Sequence, residues 1–152
     1  MRVVVNTSPL IALERIGQLD LLRRMYGVVV RPQSVLDELK AGRGAYELSP
    51  LLEQADWIRT EPDPSDMNWR RELGAGETAA ITLAVKTRAD LVILDDLPAR
   101  LVAQAQGLTI TGTLGILLAA QEAGFVADVK ELFRALQDAG FRIPASLLEK
   151  YG

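Results

Sequence analysis

Apolar residues in this chain fall into short β-branched runs, separated by longer stretches where they recur at helical spacing. Arg2 to Val5 reads as a strand. Asn6-Thr7-Ser8-Pro9 follows, a run of N-cap residues and a first-turn proline, so the strand turns directly into a helix over Leu10 to Ile16. Gly17 breaks that helix, and a second one spans Leu19 to Met25. Val28 to Val30 is a buried strand, after which Arg31-Pro32 starts a helix through Val35, Leu36 and Leu39 that Gly42 and Gly44 end. A short helix over Leu51 to Gln54 precedes a strand at Trp57 to Thr60. The two prolines between Glu61 and Asp66 mark a loop.

Met67 to Leu73 is predicted as a short helix, broken by Gly74-Ala75-Gly76, and Glu77 to Lys86 as an Ala-rich one. A strand at Leu91 to Leu94, a helix at Leu97 to Gln106 and a strand at Leu108 to Ile110 come next. Helices over Leu114 to Glu122 and Val129 to Ala139 follow, and Pro144 begins a last short one. Strands alternating with helices predict an α/β fold, a three-layer α/β/α arrangement around a parallel sheet of about five strands. Ligands of such folds bind beyond the carboxyl ends of the strands, where strand order reverses. Asn6, Asp95, Asp96 and Thr111 each follow a strand, so topology alone puts all four at one edge of the sheet.

Composition sharpens the chemistry. The 152 residues are 49% hydrophobic and 24% charged, ordinary for one globular domain, and we read the chain as a single domain from 1 to 152. No His and no Cys are present, which removes imidazole bases, thiolate nucleophiles and the usual zinc ligands. Carboxylates must then do the work, holding a hard cation such as Mg2+ or Mn2+. No apolar stretch approaches the ~20 residues of a membrane span, and the start carries no secretory pattern. A cytoplasmic location is the expectation. A net charge of −3 argues against a surface that clings to nucleic acid throughout, but it allows a basic rim made by Arg70, Arg71 and Arg100 around an acidic centre.

Each candidate also has a plain structural role. Leu91 to Leu94 ends on two adjacent acids; Asp96 can cap the helix that Leu97-Pro98 begins, which explains one acid and leaves Asp95 without a reason. Glu77 complements the dipole of its helix. Glu38 flanks the apolar face of Val35, Leu36 and Leu39, whereas Asp37 points further outward. Asn6 is a turn-former whose amide oxygen can also ligate a hard cation. Thr7, Ser8, Thr111 and Thr113 are caps first and phosphate-contacting hydroxyls second. A phosphoacceptor receiver-like domain needs an acidic pair after the first strand and an Asp after the third; Asn6 and Thr60 stand there instead.

Taken in order, Val3 to Ile11, Pro32 to Leu39, Gly74 to Ile81, Ile93 to Asp96 with Ala99-Arg100, and Ile110 to Gly115 resemble a PIN domain, the nuclease fold of VapC-type toxins. The resemblance implies an endoribonuclease using one or two Mg2+ or Mn2+ ions. It puts Asn6 at the first acidic position, Glu38 at the second, Glu77 at the third, and Asp96 or Asp95 at the fourth, spacing favouring Asp96. It also implies RNA as substrate, a small antitoxin protein as partner, and self-association as a homodimer; Thr7, Ser8, Arg100, Thr111 and Thr113, at or near the same edge, are our candidates for the substrate side. Asn6 departs from the common pattern, where an Asp stands. That leaves open a catalytically weakened protein that binds RNA or a protein partner without cleavage.

Overall fold

The computed structural model describes residues 1–42, 48–65 and 73–151. Five strands appear among them: β1 (Val3–Val5), β2 (Val29–Pro32), β3 (Ile58–Glu61), β4 (Leu91–Ile93) and β5 (Ile110–Thr111). All pairings are parallel, in the order β3-β2-β1-β4-β5. Strand order therefore reverses between β1 and β4, where Val3, Val4 and Val5 pair with Leu91, Val92 and Ile93. The helices are α1 (Thr7–Arg15), α2 (Asp20–Tyr26), α3 (Gln33–Ala41), α4 (Pro50–Gln54), α5 (Ala75–Thr87), α6 (Leu97–Ala105), α7 (Thr113–Glu122), α8 (Val129–Asp138) and α9 (Ala145–Tyr151).

The two-residue period of the strands divides the core. Val3, Val5, Val29 and Ile93 pack with Leu10 and Leu13 of α1, Leu39 of α3, Ile116 and Leu117 of α7 and Phe133 of α8. Val4, Val30 and Val92 face the opposite way, onto Ala80, Ile81 and Ala84 of α5 and Ala99 and Ala103 of α6. The three-layer parallel architecture is thus the one the alternation of elements predicts. Among the described residues no helix is long and apolar enough to cross a membrane.

Boundaries differ where hydrogen bonding overrides local pattern. Arg31 and Pro32 continue β2, because they pair with Thr60 and Glu61 of β3, and the helix expected from Arg31 begins at Gln33. β5 starts two residues after its expected position. Gly107, at φ +79°, ends α6 in a left-handed turn, and the Leu108 N–H is tied back to the Ala103 carbonyl at 3.1 Å. Helix α5 begins at Ala75, inside the stretch expected to break a helix, with Gly74 at its N-cap. The helix expected over Met67 to Leu73 falls mostly on 66–72, outside the described residues, as do Arg70, Arg71 and Gly44.

Candidate functional site

Asn6 is the residue at which β1 becomes α1. Its extended backbone (φ −86°, ψ 175°) occupies the N-cap, yet its side chain makes no capping bond. Instead, Asn6 is buried and its Oδ1 has no hydrogen-bond donor. The next residue, Thr7, is also buried, and its hydroxyl donates to Glu38 Oε2 at 3.3 Å. Glu38 sits two turns into α3, half-buried, while neighbouring Asp37 is exposed and accepts from Gln33.

Glu38 also reaches α5. The Gly76 N–H, in the first turn of that helix, donates to Glu38 Oε1 at 2.6 Å. A carboxylate beside a helix N-terminus is favoured by the exposed amides there. Gly76 is needed for this approach: a Cβ at that position would collide with the Glu38 carboxylate and stand 3.3 Å from Asn6 Oδ1. Asn6, Glu38 and the start of α5 therefore meet at one point.

Glu77 is the third residue of α5, and its carboxylate takes a backbone hydrogen bond from Gly74, half of a capping box. Its Oε2 is buried without a donor, like Asn6 Oδ1. Burial raises the Glu77 pKa above the ordinary carboxylate value; the adjoining Asp96 carboxyl raises it further by hydrogen bonding and by repulsion, and Glu38 adds to the repulsion. Asp96 caps α6, Ala99 N–H donating to its Oδ2 at 3.3 Å, so the capping role and the place in the acidic cluster coexist.

Asp95 turns the other way. It accepts from Thr113 N–H and from the Thr113 hydroxyl, both at 2.7 Å, and so holds the N-terminus of α7. The structure thus brings Asn6 and Glu38 together at Gly76, with Thr7 against Glu38 and Asp96 against the adjoining Glu77, and leaves Asp95 and Thr113 paired with each other. Thr111 stays in β5, its hydroxyl packed where a Cβ on Gly115 would stand. Ser8, Asp95, Asp96, Arg100 and Thr113 line an adjoining cavity of about 490 Å³, to whose lining Phe141 to Pro144 also contribute. Sequence reading missed that last segment.

The donor set fits a hard divalent ion. Every side-chain ligand atom is oxygen, two buried oxygens lack a donor, and burial with the neighbouring Asp96 and Glu38 carboxylates raises the proton affinity of Glu77. Among the described residues no three acids close on one point as a ready-made cage. Mg2+ does not require one, since it is held by one or two carboxylates and keeps several waters.

The structure can be set beside a solved one, a PilT N-terminus domain protein from the hyperthermophilic archaeon Sulfolobus solfataricus. The TM-score is 0.58 at 16% identity, over 80% of this chain and 95% of the other, which shows a shared fold. No curated protein matches the chain. The family model described as DUF3368, PIN domain, matches residues 2–151.

Proposed function

The chain belongs to the PIN-domain family, whose members are generally nucleases that use divalent ions, and from that premise we propose that it is a metal-dependent endoribonuclease. The observation that carries the reading is the pair of buried, donorless oxygens, Asn6 Oδ1 and Glu77 Oε2, among acids that repel one another. Glu77, Asp96 and Glu38 would hold Mg2+ or Mn2+, with Asn6 as a neutral ligand. Bound there, the ion supplies Lewis acidity toward the phosphate and toward an attacking water.

The protein's own part is positional. Glu38 is fixed from two sides, by the Thr7 hydroxyl and the Gly76 amide, so its carboxylate cannot swing away from the cluster. Asp96 is fixed by its bond to Ala99 N–H. Arg100, one turn into α6, draws the phosphate backbone toward the acids. Titrating Mn2+ and Mg2+ against short RNA tests the proposal: cleavage that Glu77→Gln abolishes supports it, and intact RNA at every ion concentration refutes it.

Asn6 favours a second reading, a weakened member that binds RNA or a protein partner without cutting. Asn6→Asp separates the two readings, because cleavage that appears only in the variant selects the second. In either case a small antitoxin protein and a second copy of this chain are the partners we propose, on the strength of the family.

A further inference from the structure

Beside the acidic cluster, and sharing Asp96 with it, the cavity of about 490 Å³ lies between the starts of α1 and α7 and the segment Phe141 to Pro144. Its far wall is built by a local device. Gly140, at φ +95°, ends α8, and the Phe141 N–H bonds back to the Leu136 carbonyl at 2.9 Å while the Gly140 N–H bonds to Gln137. This motif sets Phe141 against the core cluster that contains Leu136 and brings Phe141 to Pro144 to the cavity wall. Two cations, Arg100 and Arg142, line the cavity, and among the described residues neither forms an ion pair. Asp95, which also lines it, has both oxygens committed to Thr113.

Apolar lining from Leu136, Phe141 and Ile143 together with two arginines suits a nucleotide: a flat apolar base carrying a phosphate. The volume lies within the range of small-ligand sites, roughly 300–1,000 Å³. Unpaired bases are the part of RNA that proteins read in such pockets, against aromatic and guanidinium planes. We infer that this cavity is a nucleotide subsite for single-stranded RNA, with Phe141 walling the base and Arg142 and Arg100 holding the phosphate beside the scissile one. The inference rests on the nuclease reading above and adds a specificity pocket to it. Arg142 lies 46 residues beyond Asp96, the nearest acid of the cluster in sequence, and it reaches the site through the turn at Gly140.

Fluorescein-labelled octaribonucleotides of each single base, titrated by anisotropy in EDTA and in Ca2+ at several salt concentrations, test it. Arg142 is exposed, so Arg142→Ala leaves the core intact. The variant should lose roughly tenfold in affinity, the worth of one charged hydrogen bond. Its log K against log salt slope should flatten by about 0.7, one single-strand phosphate contact. Arg142→Lys should keep the slope, and Phe141→Leu should narrow the preference among the four bases. Wild-type affinity and slope in both Arg100→Ala and Arg142→Ala overturn the inference. So does a wild type that binds no octamer, as it would if the cavity received a protein segment. Cleavage of the same octamers in Mn2+ is scored separately. A protein that cuts without needing Arg142 for binding refutes the subsite alone; one that binds through Arg142 and never cuts refutes the nuclease alone.

Discussion

Glu77 carries the clearest electrostatic signature. Its pKa is raised, by burial first and then by Asp96, so the folded state favours its protonated form. The unfolded chain releases that proton at the ordinary carboxylate pKa. Ion-free protein should therefore lose stability as pH rises from about 4.5, the ordinary glutamate value, through the raised folded pKa, and level off above it. Melting temperature against pH in EDTA should show this fall in the wild type and lack it in Glu77→Gln. Asn6→Asp adds a charge beside Glu38, so it should lower the melting temperature in EDTA and enlarge the gain on adding Mn2+. A variant as stable as wild type in both buffers would mean that Asn6 does not face the cluster.

Among the elements, α5 shows where local pattern misleads. Gly74-Ala75-Gly76 has the composition of a helix breaker, yet the helix starts within it, because Glu38 from a distant segment supplies an acceptor to the Gly76 amide. That bond could not be read from the sequence; the ordered set of motifs could, and so could the co-location of Asn6 and Asp96 at the sheet edge. Asp95 and Asp96 look equivalent in sequence. They part because Thr113, 18 residues on, claims Asp95. The opposite end of α5 carries a local cost: Arg88 takes a left-handed conformation at φ 52°, where glycine is at ease. Arg88→Gly should stabilise the protein by about 1 kcal/mol, measured by urea unfolding with unchanged slope. A loss of stability would place a favourable contact on the arginine side chain.

For the whole molecule, the buried Glu77 carboxylate beside Asp96 opposes folding in its charged form, a cost that the cation of the proposed function would offset. A divalent ion at ~100 times its Kd adds about 2.7 kcal/mol to the folded state, which for a chain of this length is roughly 5–10 °C in melting temperature. Glu77→Ala should abolish most of that shift, and an equal shift in both proteins would place the ion elsewhere. The order of elements was legible because each strand and helix carries its own period. The C-terminal wall was not, because its place at the cavity depends on where the turn at Gly140 aims it. The margins of the sheet carry a further consequence. One ends at two residues of β5; the other, β3, exposes Arg59 and carries Thr60 and Glu61. Short or charged borders like these give an incoming strand little to zip onto. A homodimer of the kind proposed would then pair side chain to side chain across helices, open to tuning by single surface substitutions without disturbing the backbone that aligns the acids.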